Sequence, residues 1–236
     1  MELESGSQDL ESLPTIQRSS LTQKATDLIR RAILQGTLLP GEAIGVRDLA
    51  RRIKVSPTPI REALIHLSAV GLVEFEPGRV RIASATPQAL KDAFELREAL
   101  EGMAARLAAS RRTDEEAKEI VRLASESAKA ARAGDRDGFR EYDFQFHRAI
   151  GRAARSAQVE RYLSSALDLA FTLRNLRSTG KTFTAKSAPL HKVIADAIKR
   201  REPDEAEKAS REHVREVCEA SLRLHAEGQE VALNNE

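Results

Sequence analysis

From Gln88 to about Gly228 the apolar residues recur at helical spacing, with Gly134-Asp135 and Glu202-Pro203-Asp204 as the sharpest interruptions. Each segment is apolar on one face only, so the segments must bury those faces against one another. The spacing predicts helices over 88–110, 114–133, 135–154, 157–178 and 203–227, with another at 185–201 after Gly180. Such an array folds as an antiparallel helix bundle. The lack of tryptophan, the frequent alanine and the scarcity of β-branched runs outside residues 72–83 make the whole chain mainly α.

The N-terminal part reads differently. Residues 1–19 are polar and aperiodic, as in a disordered tail. Ala25, Leu28, Ile29, Ala32 and Ile33 mark the inward side of a helix from Leu21 to Gln35, which Gly36 stops. A second, short helix from Val46 to Ile53 turns Leu49, Ala50 and Ile53 inward and Arg47, Arg51 and Arg52 outward. After the turn Lys54-Val55-Ser56, a third helix opens with Ser56 at the N-cap and Pro57 at the first position, where a missing N–H costs nothing. Ile60, Ala63, Leu64 and Leu67 bury one side of it and leave Thr58, Arg61 and Ile65 outside; His66 is a partly packed or solvated side chain. Two short helices joined by a tight turn make a helix-turn-helix, whose second helix suits a major groove. The segments 72–76 and 79–82, joined at Pro77-Gly78, form a hairpin that makes this a winged helix, with Arg79 and Arg81 placed to touch phosphates.

Charge agrees with that placement. The net charge is +2, yet residues 21–87 carry ten basic and six acidic side chains, an excess that favours nucleic acid over the rest of the chain. A single cysteine, Cys218, excludes an internal disulfide framework and fits a reducing cytoplasm. Neither a membrane span nor a signal peptide is readable.

The run Ile33-Leu34-Gln35-Gly36-Thr37-Leu38-Leu39-Pro40-Gly41-Glu42, then Asp48-Leu49-Ala50, Val55-Ser56, Thr58-Pro59-Ile60-Arg61-Glu62-Ala63-Leu64 and Gly71-Leu72-Val73 closely resembles the DNA-binding domain of the GntR superfamily of bacterial transcriptional regulators. The resemblance implies DNA contacts from Arg47, Thr58, Arg61 and the wing glycine Gly78, to which the residue reading adds Arg79. Two positions depart from the family's pattern: Pro57 stands where Arg is usual, and Arg79 follows Gly78 rather than preceding it.

Polar residues break the apolar stripes of the bundle at four places. Asp143 and His147 are four apart, on a face shared with Phe139, Phe146 and Ile150; His191 shares a stripe with Ile194 and Ile198, and His213 one with Ala209 and Val217. Singly, each is more often a satisfied core histidine. Together, three imidazoles and a carboxylate make an N3O1 set for a divalent ion such as zinc or nickel, which would remove the cost of burying Asp143.

With Leu96-Arg97-Glu98-Ala99-Leu100-Glu101 and the spacing from His191 to His213, this part resembles the helical FCD effector domain of the FadR subfamily. The resemblance implies that Asp143, His147, His191 and His213 are metal ligands. Arg97 and Glu101 are either an internal ion pair or contacts to an effector carboxylate; Arg174 and Arg177 are weaker candidates for the same contact and read more readily as a solvated basic face.

The chain so divides into a tail (1–19), a winged helix-turn-helix DNA-binding domain (20–83), a linker (84–87), a helical effector-binding and dimerisation domain (88–228) and a frayed C-terminus (229–236). The expected activity is that of a homodimeric repressor of a palindromic operator, controlled by a small organic acid bound at the metal. A metal-dependent hydrolase and a metal-ion sensor are the competing readings of the Asp/His cluster.

Overall fold

The computed structural model describes residues 20–84, 86–174 and 181–233, with side chains over 21–84, 86–174 and 188–226. The expectations for the tail, for Arg177, for the break at Gly180 and for the last three residues lie outside the described residues.

The N-terminal head contains α1 (Ser20–Leu34), β1 (Ala43–Ile44), α2 (Val46–Ile53), α3 (Pro57–Ala69), β2 (Val73–Glu76) and β3 (Arg79–Ile82). Its core gathers Ile29 and Ile33 of α1, Leu49 of α2, Ile60, Leu64 and Leu67 of α3, and Leu72, Val80 and Ile82 around the sheet. Leu28, expected inward, is 42 % exposed because the buried line of α1 runs through Ala25, Ile29 and Ile33 and leaves it at the margin. The antiparallel sheet has the order β1-β3-β2, with Glu76 opposite Arg79 beside the turn and Ala43 opposite Arg81. Strand β1 has two residues, too few to show a period in the sequence.

Two local features shape the reading helix. Lys54, between α2 and α3, holds φ 59°, a left-handed conformation unusual for a residue with a side chain. Ser56 occupies the N-cap of α3, but its hydroxyl makes no capping bond. Its usual targets are the second and third N–H groups of the helix, and the third residue here is Pro59, which has none.

The bundle consists of α4 (Pro87–Arg111), α5 (Asp114–Ala133), α6 (Arg136–Ala153), α7 (Ala157–Arg174), α8 (Lys181–Arg200) and α9 (Pro203–Leu233). Helix α4 packs against α6, α7, α8 and α9, and Ala104, Ala105, Ala108 and Ala109, all fully buried, let its neighbours come close. Its cap is Thr86, whose hydroxyl accepts from the Ala89 N–H at 3.1 Å. Thr113 and Glu116 close a capping box on α5. The expected break at Gly134-Asp135 has a physical basis: Gly134 ends α5 at φ 71°, and Asp135 accepts from the Gly138 N–H at 2.9 Å to start α6. Helix α9 runs to Leu233. Among the described residues no helix is long and apolar enough to cross a membrane.

Candidate functional site

On the head, the exposed end of α3 and the hairpin enclose a groove of about 460 Å³ whose walls include Arg47, Arg61, Phe75, Gly78 and Arg79. Thr58 is exposed on the first turn of the same helix, and Ile65 and His66 are exposed further along it. Gly78 sits at φ 77° at the tip of the hairpin with nothing within 4 Å of a Cβ built there, so its backbone is open to close approach. Two wing residues differ from expectation. Arg81 is not offered to a ligand: its Nε donates to Glu76 Oε1 at 2.6 Å and its Nη1 to the Gly41 carbonyl at 2.7 Å. Phe75 breaks the strand alternation, since its ring stays 47 % exposed in the groove while Leu72 and Val73 are both buried.

In the bundle, α6 places Asp143 and His147 one turn apart on its inner face, α8 contributes His191 and α9 His213. All four are buried, and one ligand atom from each lies within 4.8 Å of the others. Phe146 stacks on the His191 ring at 4.5 Å between centroids, and the His147 and His213 rings stack at 5.1 Å.

The surrounding bonds decide what these groups present. His147 Nδ1 lies 2.7 Å from Glu101 Oε2, so this nitrogen carries the proton and Nε2 carries a lone pair. His191 Nδ1 lies 2.9 Å from the Ser127 hydroxyl, whose own proton goes to the Ala124 carbonyl at 2.9 Å. Nδ1 of His191 is thus engaged on the outer side, and its Nε2 faces the cluster. That Nε2 lies 3.1 Å from Asp143 Oδ1 yet has no hydrogen-bond partner, and neither nitrogen of His213 has one. His147 Nε2 lies 3.4 Å from the same Oδ1. These polar atoms meet in the buried interior, where those left without a partner are costly. A cation at their meeting point would take one nitrogen from each ring and one Asp143 oxygen, a donor set that zinc or nickel accepts.

Charged partners enclose the cluster. Arg97 is fully buried, donates through Nε to Glu101, and holds Nη2 3.1 Å from His147 Nε2; its Nη1 has no partner. Glu101 is thus both an ion-pair partner and the carboxylate that orients His147. Arg174, read from the sequence as solvated, is instead 8 % exposed and donates to Asp143 Oδ2 at 2.9 Å. Its place on the buried side of α7 follows from Leu167, Ala170, Phe171 and Leu173, which made that helix end apolar almost all round. Ser127 gave no signal, being one of two serines on its helix.

Burial works to raise the Asp143 carboxyl, but Arg174, His147 and His191 outweigh it and hold the group well below the usual carboxylate range. The His213 ring is driven well below the usual imidazole range by burial and then by His191, His147 and Arg97, so it is neutral and ready to ligate. His191 is lowered, chiefly by burial. Burial acts the same way on His147, but Glu101 outweighs it and raises that ring.

Residues 21–80 match the family described as bacterial regulatory proteins, gntR family, and residues 92–216 match the FCD domain. A relative from Paenarthrobacter nicotinovorans named "Probable D-xylose utilization operon transcriptional repressor" is 31 % identical over 201 residues, covering 84 % of this chain and 87 % of its own. The HTH-type transcriptional repressor RspR of Escherichia coli (strain K12) is 27 % identical over 218 residues, covering 88 % and 91 %. Among solved structures, "E. coli McbR/YncC" superposes with a TM-score of 0.76 at 19 % identity, covering 88 % of this chain and all of that one, which speaks to the fold alone.

Proposed function

The chain belongs to the gntR family of bacterial regulatory proteins and is a DNA-binding transcriptional regulator with an FCD domain; from that premise we propose that it is a homodimeric repressor whose operator binding is controlled by a small carboxylate bound at a metal site in the bundle. In this reading residues 20–83 are the DNA-binding domain, 84–87 the linker and 88–228 the effector-binding and dimerisation domain, at work in the cytoplasm. Its relatives are transcriptional regulators, which are not enzymes, and that weighs against hydrolysis at the cluster.

Two heads related by a two-fold axis would read the two halves of a palindrome. In each, Arg61 and Thr58 face the bases from α3, while Arg47, Arg79 and the backbone at Gly78 meet phosphates on either side. Two prolines in the first turn leave Thr58 as the one residue of that turn's first three with an N–H to offer a phosphate, so side chains carry more of the contact than helix-end donors do.

The observation that carries the effector half is the meeting of unpaired His191, His213 and Arg97 nitrogens around Asp143. Asp143, His147, His191 and His213 would together hold a divalent ion, zinc or nickel, which would supply a Lewis-acid contact for a carboxylate oxygen. Arg97 Nη1 is the donor left for the second oxygen, and Glu101 fixes the guanidinium that presents it. Control of DNA binding then requires that the acid favour one arrangement of the two heads over another, a coupling of about 1–3 kcal/mol.

A thermal-shift screen of small organic acids against zinc-loaded protein, with hits tested for release of a selected DNA duplex, tests this reading. The expected result is stabilisation by a carboxylate that needs both zinc and Arg97, accompanied by a change in DNA affinity. Stabilisation by no acid in the presence of zinc would remove the effector site.

A further inference from the structure

Helix α1 of the head meets the bundle at α6 and α7, the two helices that carry Asp143 and its arginine partner. Arg140 of α6 donates through Nη2 to the Leu34 carbonyl at the end of α1, at 3.0 Å. Asp143 follows three residues later on the same helix. Asp168 of α7 is 1 % exposed, and its Oδ2 lies 3.2 Å from Nε of Arg30 on α1. Phe171 and Arg174 follow at intervals of three, on one stripe spanning about 9 Å of helix. The Phe171 ring has the guanidinium carbons of Arg97 and Arg174 at 5.5 Å and 4.5 Å from its centroid, and Phe144 of α6 packs edge-on to it at 5.2 Å.

Between these two attachments lies a cavity of about 750 Å³, bounded by Arg30, Leu34, Arg140, Phe144, Asp168 and Phe171. Along the cavity α1 is held by the Leu34 contact at its end and by the directional polar contacts of Arg30 and Leu34. Apolar contacts between head and bundle come from Leu169 of α7, which packs at Gly71, and from Leu34 of α1, which packs on the bundle core; such contacts tolerate small shifts.

The Arg30–Asp168 pair is poorly optimised for stability. Asp168 Oδ1 and Arg30 Nε are buried without a hydrogen-bond partner, even though Nε stands at ion-pair distance from Oδ2. With Asp168 buried and Arg30 about a third exposed, such a pair contributes little net stability, because desolvation of the carboxylate offsets a solvent-screened attraction. Its effect is to fix where α1 sits relative to α7.

We propose that Asp168 and Arg140 are positioning residues that set the DNA-reading head on the bundle, and that α7 and α6 carry displacements at the Asp143 cluster to α1 through them. A shift of Arg174 on Asp143 moves α7 along the stripe that ends at Asp168, and the ion pair with Arg30 converts that movement into reorientation of α1. The head core is built on α1 through Ile29 and Ile33, so α3 and the wing follow. This proposal rests on the reading of the cluster as the ligand site, but its test needs no ligand.

Hydrogen exchange is measured in full-length wild type, Asp168→Asn, Arg174→Lys and the double variant, comparing amides of α1 over residues 25–34 with those of α5, which report global opening. Asp168→Asn is expected to speed exchange in α1 by about fivefold or more without speeding α5. Arg174→Lys is expected to speed α1 in the wild-type background and to add less than about twofold in the Asp168→Asn background. Arg30→Gln alters the same pair from its solvent side and replaces Asp168→Asn in the cycle if that variant does not fold. Equal acceleration by Arg174→Lys in both backgrounds, unchanged α1 exchange in Asp168→Asn, or parallel acceleration of α1 and α5 would each overturn the proposal. Because the cycle is run without metal or acid, a failure to bind zinc would count against the effector site and leave this result intact.

Discussion

Nε2 of His191 stands 3.1 Å from Oδ1 of Asp143, while Nδ1 of the same ring lies 2.9 Å from the Ser127 hydroxyl. Ser127 and Glu101 each engage the outer nitrogen of one histidine, which leaves the inward nitrogens facing the cluster. Outer partners of this kind typically contribute 10- to 100-fold in metal affinity. Ser127→Ala and Glu101→Gln are each expected to weaken zinc binding by about that factor, measured by competition with a chromophoric chelator, while helix content stays unchanged. Affinity equal to wild type in both variants would mean that the rings are oriented by other groups.

The groove on the head separates base reading from phosphate contact. Arg61→Ala is expected to cost roughly 1–3 kcal/mol on the selected operator and to relax preference at one position of each half-site. Arg79→Ala should weaken specific and non-specific duplexes alike and lower the salt slope by about one. Arg81→Met should leave that slope unchanged, since Arg81 is engaged with Glu76 and the Gly41 carbonyl. A salt titration that moved with Arg81 and not with Arg79 would reverse the assignment.

The ligand set was legible because its members interrupt apolar stripes, where a polar residue is conspicuous: Asp143 and His147 among Phe139, Phe146 and Ile150, His213 among alanines and valines. The partners were legible only where they also broke a stripe, as Arg97 and Glu101 did between Phe94 and Ala104. Arg174 sits at the end of a described helix, where a long basic side chain is ordinarily solvated, and only tertiary packing turns it inward. Asp168 and Arg30 belong to different parts of the chain, and no periodicity within either helix indicates that they meet. The same limit applies to Arg81 and to Leu28, whose surroundings depend on which element covers them.

Asp168 gives stability a distinct pH dependence. Burial raises its carboxyl from 3.8 to about 6, with Arg30 of α1 and Arg148 of α6 opposing the shift. Between those values the folded chain keeps a proton that the unfolded chain has released, so stability falls as pH rises through that window. Above it the ionised group costs on the order of 3 kcal/mol relative to a neutral one. Urea unfolding of Asp168→Asn against wild type is therefore expected to favour the variant progressively from about pH 4 to about pH 7. A stability difference that stays constant across that range would show that Asp168 is ionised throughout.

Metal removal distinguishes an anchoring ion from a signalling one. If the ion anchors the effector, chelation should abolish the response to acid and leave operator affinity without acid within about threefold of its starting value, well below the usual span of allosteric coupling. Loss of operator binding on chelation alone, restored by zinc, would make the ion itself the signal.

The central claim is that Asp143, His147, His191 and His213 bind one ion together. Metal content of purified chain after exhaustive dialysis against zinc-buffered solution, compared among wild type, His147→Ala and His213→Ala, tests it most directly. The predicted result is about one zinc per wild-type chain and almost none in either variant, as expected for a site whose ligands act jointly. Wild type without bound zinc, or variants that retain it at the wild-type level, would contradict the account.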